Sequence, residues 1–111
     1  MAISEISVDE LAERLATGSR LIDVREHDEF DSGHVPGAVH VALGTVPDNV
    51  GLFRGEGPAY VICRSGGRSL RACEFLAEQG VEAVNVAGGT LAWQMSGRTV
   101  EVVEIVEIAD S

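Results

Sequence analysis

The sequence predicts an α/β fold: a small, mainly parallel β-sheet flanked by helices on both faces. Three observations carry that expectation. Short apolar runs at 21–24, 59–62 and 83–86 alternate with stretches of helical apolar spacing, which is the order βαβ units require. The run Ala59-Tyr60-Val61-Ile62 is almost continuously apolar, as in a strand covered on both sides. The chain has 111 residues, 45% of them hydrophobic, which suits one modest core in a single domain spanning residues 1–111.

The elements follow in order. Ile3 to Ser7 alternates weakly and reads as a short strand. Ser7-Val8-Asp9-Glu10 fits the S-x-x-E capping box, in which hydroxyl and carboxylate each serve the other residue's N–H. Behind it, Val8, Leu11, Ala12, Leu15 and Ala16 share one helical face, and Gly18 can take the left-handed C-cap. Leu21-Ile22-Asp23-Val24 reads as a strand ending in the charged Arg25-Glu26. Val35 to Leu43 reads as an extended stretch interrupted by Pro36-Gly37. After the strand Ala59–Ile62, Leu70, Cys73, Leu76 and Ala77 keep helical spacing until Gly80. Ala83 to Val86 forms a further strand, Gly88-Gly89 a turn, and Thr90 to Met95 a short helix. The tail from Thr99 to Ile108 is β-branched, with Glu101, Glu104 and Glu107 three apart. Its composition favours an edge strand, its period fits neither template, and a frayed end used in association is the other reading.

Composition excludes several functions. Eight basic residues against 18 acidic ones leave a net charge of −10, which repels nucleic acid. All eight basic residues are Arg, so Schiff bases, P-loop lysines and Ser–Lys dyads are ruled out. No apolar stretch approaches the roughly 20 residues of a membrane span. Met1-Ala2-Ile3-Ser4-Glu5 lacks the basic and apolar regions of a signal peptide. With two cysteines, the expectation is a cytoplasmic protein whose thiols are free. Neither C-x-x-C nor H-x-x-x-H occurs, so no metal and no cofactor are expected. The acidic excess reads as a solvated surface.

The chemistry concentrates in Cys63-Arg64-Ser65-Gly66-Gly67-Arg68. In open parallel sheets ligands bind beyond the carboxyl ends of strands, and Cys63 stands at such an end. Gly66 and Gly67 let the chain curl with its N–H groups inward as an anion nest. These dipoles and the following helix N-terminus favour the thiolate, which predicts a Cys63 pKa below about 8.5. Arg64, Arg68 and Arg71 focus positive charge in an acidic chain, and their planar forks suit an oxyanion. Cys73, on the same helical face as Leu70 and Leu76, reads as a buried structural thiol. Asp23, in an apolar strand, requires a partner; Arg25 is the nearest. His34 is expected to support the Pro36-Gly37 turn, His27 and His40 to be incidental, and Trp93 to pack in the core.

Four segments together resemble the rhodanese family of sulfurtransferases: Leu21 to Glu26; Glu29-Phe30 with Gly33-His34-Val35-Pro36-Gly37-Ala38; Cys63 to Arg68; and Gly88-Gly89 with Ala92-Trp93. The resemblance covers nearly the whole chain and implies a rhodanese-like fold. It also implies a ping-pong reaction in which Cys63 takes a sulfur from a small anionic donor such as thiosulfate. The resulting persulfide, held by N–H groups from Arg64 to Arg68, then passes its sulfur to a thiol or an acceptor protein. A non-catalytic persulfide relay or docking module is the alternative. A cysteine phosphatase is a weaker one, because four residues separate Cys63 from Arg68 where such phosphatases carry five, and Ile62 stands where they carry histidine.

Overall fold

The computed structural model describes residues 2–103. The chain runs through β1 (Glu5–Ile6), α1 (Val8–Ala16), β2 (Arg20–Asp23), α2 (His27–Ser32), β3 (Val39–His40), β4 (Ala59–Ile62), α3 (Gly67–Glu78), β5 (Ala83–Val86) and α4 (Gly89–Met95). Two 3₁₀ turns, Leu43–Asp48 and Val50–Phe53, join β3 to β4. The five strands form one sheet in the order β1-β5-β4-β2-β3, and every pairing is parallel. Among the described residues, no helix is long and apolar enough to cross a membrane.

Alternation along the strands builds two cores. Leu21, Tyr60, Ile62, Val84 and Val86 face one way and pack with Val8 and Leu11 of α1 and Trp93 of α4. Ile22, Val24, Ala59, Val61, Cys63 and Ala83 face the other way. They meet Ala72, Cys73 and Leu76 of α3, and Val46 and Phe53 of the 3₁₀ turns. Helices therefore cover both faces, as the near-continuous apolar strands require. Each fully buried Leu, Ile or Phe contributes about 1.5–3 kcal/mol, and Leu11, Leu21, Phe53, Ile62 and Leu76 are all sealed from solvent.

Local chemistry sets the element ends. The Ser7 hydroxyl accepts from the Glu10 N–H at 3.1 Å, while the reciprocal half of the capping box is absent from the hydrogen bonds of the described residues. Gly18, at φ +88°, follows the α1 cap. The 35–43 stretch is shorter in strand than its composition suggests: Ala38 N–H bonds Val35 O across the Pro36-Gly37 turn, leaving Val39–His40 as strand. Helix α2 escapes sequence patterning because its six residues, His-Asp-Glu-Phe-Asp-Ser, include no buried one and so carry no apolar stripe. It is held by a capping box between Glu26 and Glu29.

The tail turns back over α2. Trp93 Nε1–H donates to Thr99 O at 2.8 Å. Glu101 pairs antiparallel with His34 as an isolated bridge, and Val103 N–H reaches Asp31 O at 2.9 Å. Residues 99–103 thus form no edge strand of the sheet, and the rest of the Val/Ile-rich tail, 104–108, lies outside the described residues.

Candidate active site

Strand β4 lies inside the sheet, between β5 and β2, and delivers Cys63 to its carboxyl end. The loop then curls into α3. Gly66, at φ +111°, takes the left-handed conformation that lets its N–H point back to Cys63 Sγ at 3.0 Å. Gly67 does not share that role: it opens α3 and is exposed. The curl needs one glycine, not two.

Further groups secure the sulfur and its loop. Ser69 Oγ lies 3.3 Å from Sγ, 3.2 Å from Gly66 O and 2.5 Å from Asn85 Oδ1. Asn85 Nδ2 donates to Glu5 Oε2 at 2.7 Å and to Gly66 O at 3.2 Å. From α4, the Thr90 hydroxyl and N–H both donate to Cys63 O, and the Leu91 N–H donates to Arg64 O. Ser69, Asn85 and Thr90 were not singled out in the sequence. One signal was available: Asn85 interrupts an otherwise apolar strand, and a buried amide demands partners.

Burial pushes the Cys63 thiol up, but the Ser69 hydroxyl and the N–H groups of Ser69, Gly66 and Ser65 outweigh it, so the net shift is downward. Cys73 moves the other way. Burial, with smaller contributions from Cys63, Glu5 and Glu74, pushes it up to about 12, as befits an inert core thiol. Cys63 is also deeply recessed. The residue is 1% exposed, although Arg64, Ser65 and Gly67 around it are exposed. The groups that favour the thiolate thus also lie against it.

The arginines divide into two kinds. Arg68 does not offer a free fork to an anion: its guanidinium grips Glu29 of α2 through two bonds of 2.7 and 2.8 Å. The sequence predicts Arg68 as an anion-binding residue, and the carboxylate that claims its side chain sits on α2. Arg64 and Arg71 are exposed and take part in no ion pair among the described residues.

The Arg68 hydrogen bonds, against some desolvation and helped by the Glu26 N–H, hold Glu29 down at about 2. A depressed carboxylate stabilises the fold above its unfolded pKa and loses that contribution as pH falls through the folded one. Glu29→Gln is therefore expected to be less stable than the parent above about pH 4.5, with the deficit shrinking as pH falls toward 2. Urea midpoints measured across that window check this. A deficit of constant size would refute the linkage.

Asp23 and Arg25 form a buried pair beside the site. Asp23, fully buried, accepts from Arg25 Nε at 3.0 Å, from Nη2 at 2.9 Å and from its backbone N–H at 3.0 Å. Arg25 Nη2 also reaches Gly33 O at 2.8 Å, tying β2 to the end of α2. His34 supports α2 rather than the Pro36-Gly37 turn. Its ring stacks on Phe30 at 3.7 Å, and Nδ1 lies 2.9 Å from Phe30 O. His40 is not incidental: its ring stacks on Phe30 with centroids 4.8 Å apart, and Nε2 lies 2.7 Å from Arg25 O. His27 pairs with Asp31 at the surface. Among the described residues, no group of three or more His, Cys, Asp or Glu side chains converges as metal ligands would.

A parallel sheet ending in a loop that cradles a cysteine places this chain among α/β proteins with a buried cysteine at a strand end. The chain belongs to the rhodanese-like domain family, which matches it over residues 7–96. It is 42% identical over 96 residues to a Bacillus subtilis protein named "Putative sulfurtransferase YtwF", covering 85% of this chain and 93% of that protein. It is 33% identical over 98 residues to a sulfurtransferase of Allochromatium vinosum, covering 86% and 92% respectively. The crystal structure of a rhodanese-like domain protein from Staphylococcus aureus superposes with a TM-score of 0.81 at 34% identity, covering 90% of this chain and 98% of that one. These likenesses support sulfur transfer as the class of activity.

Proposed function

We propose that the protein moves a sulfane sulfur from a small anionic donor, such as thiosulfate, to a thiophilic acceptor through a Cys63 persulfide. The observation that carries this reading is the convergence of the Gly66 N–H and the Ser69 hydroxyl on Cys63 Sγ, at 3.0 and 3.3 Å. Arg64 and Arg71 draw the donor in. The Cys63 thiolate attacks the outer sulfur of thiosulfate; a Cys–S bond forms, the donor's S–S bond breaks, and sulfite leaves with the bonding pair. The loop amides then hold the negative persulfide, a fixed-dipole stabilisation of oxyanion-hole type. An acceptor thiolate, or cyanide in an assay, attacks the terminal sulfur and returns Cys63 as thiolate. Two easier steps replace one difficult transfer.

The acceptor is a thiol or a sulfur-acceptor protein, and free Cys63 and Cys73 thiols suit a reducing compartment such as the cytoplasm. Intact-mass spectrometry after incubation with thiosulfate tests the proposal. The expected result is a gain of one sulfur atom by the parent and none by Cys63→Ala; an unchanged parent mass overturns it. Steady-state thiocyanate formation distinguishes turnover from a relay that loads sulfur but does not release it to a small acceptor.

A further inference from the structure

Ser69 carries one hydroxyl proton, and three acceptors lie within reach: Cys63 Sγ at 3.3 Å, Gly66 O at 3.2 Å and Asn85 Oδ1 at 2.5 Å. A single proton serves one of them well. The choice depends on Asn85, 1% exposed in β5. Its Nδ2 donates to Glu5 Oε2 at 2.7 Å and to Gly66 O at 3.2 Å. Turning the amide over would set Oδ1 against that carboxylate and that carbonyl, so Glu5 fixes Oδ1 toward Ser69.

With the amide so fixed, a protonated Cys63 satisfies every group. The S–H donates to Ser69 Oγ, the Ser69 O–H to Asn85 Oδ1, and the Asn85 N–H to the Glu5 carboxylate. An ionised Cys63 does not. Ser69 must then turn its proton to the sulfur, and Asn85 Oδ1 is left as a buried acceptor without a donor, which carries a desolvation cost. Without Glu5 only Gly66 O, at 3.2 Å, opposes the turned amide. Nδ2 then serves Ser69 Oγ, the Ser69 proton serves the sulfur, and Gly66 O keeps the Leu70 N–H at 3.1 Å.

We infer that Glu5, on the edge strand β1, is a positioning residue that restrains the nucleophile: acting through Asn85 and Ser69, it holds Cys63 toward its protonated, resting form. This deepens the proposed function and rests on Cys63 being its nucleophile, but it concerns ionisation alone. The other ionisable neighbours of the sulfur are Arg68, kept charged by Glu29, and Cys73, protonated at neutral pH. Both lie on α3, outside the chain of donors.

The test is an ultraviolet titration of thiolate absorbance in the full chain, with the Cys63 signal taken as the difference from Cys63→Ala. Glu5 is exposed, so Glu5→Ala leaves the core intact. Its Cys63 midpoint is expected to fall by about one pH unit, the scale of one charge-assisted hydrogen bond. In a Ser69→Ala background the same substitution is expected to leave the midpoint unchanged. An unshifted midpoint in Glu5→Ala overturns the inference. So does an equal fall in the Ser69→Ala background, which would make Glu5 a mere through-space charge. Absorbance reads ionisation whether or not sulfur is transferred. A shifted midpoint without persulfide formation would refute the proposed reaction and leave the Glu5 chain standing; persulfide formation without the shift would do the reverse.

Discussion

Replacing Asp23 by Ala is expected to destabilise the protein by about 3–5 kcal/mol, the usual cost of leaving one member of a buried ion pair uncompensated. Asp23 is fully buried and Arg25 is 5% exposed, so water cannot take over the lost partner. The guanidinium would keep only Gly33 O. Urea denaturation monitored by far-ultraviolet circular dichroism measures the loss. A companion variant, Asp23→Ala with Arg25→Met, is expected to recover part of it by removing the orphaned charge. A single-variant loss below about 1 kcal/mol would show that the pair is not what ties β2 to the end of α2.

Gly89→Ala is expected to cost about 2–4 kcal/mol and to slow sulfur loading. Two penalties add. Gly89 sits at φ +59°, where an L side chain is strained, and an added Cβ would lie 2.5 Å from both Cys63 O and Arg64 O. Those carbonyls are the acceptors for the Thr90 and Leu91 N–H groups, so relieving the clash pushes α4 off the cysteine loop. Gly97→Ala is the control. Its φ is +84° with nothing within 4 Å of the added Cβ, and it should cost only the backbone strain, about 1–2 kcal/mol. Chemical denaturation gives both values. Equal losses in the two variants would mean that the contact between α4 and the loop is loose.

Strong periodicity explains what was readable in the sequence. Helices α1 and α3 carry apolar faces, and β2, β4 and β5 are apolar runs, so their existence and the parallel two-faced architecture followed from patterning. Helix α2 and the 3₁₀ turns did not. The first buries no residue, and the second are too short, and in one case interrupted by Pro47, to show a period. Missing α2 had a consequence at the site: with Glu29 unplaced, Arg68 looked free to bind an anion. The Cys63 loop was legible because its chemistry is contiguous in sequence. Its supports were not, since Glu5, Asn85 and Thr90 reach it from 58, 22 and 27 positions away, brought in only by the strand order β1-β5-β4.

The Cys63 sulfur meets the Gly66 N–H and the Ser69 hydroxyl, while the residue belongs to the core cluster that holds Val24, Ala72 and Cys73. The first contact is placed by the left-handed turn at Gly66 and the second by the first turn of α3, so both are set by the backbone. The Arg64 and Ser65 side chains, by contrast, are exposed and make no hydrogen bond or ion pair among the described residues. Under the proposed reaction, exchanging those exposed side chains would alter which donors and acceptors dock while leaving both contacts to the sulfur in place.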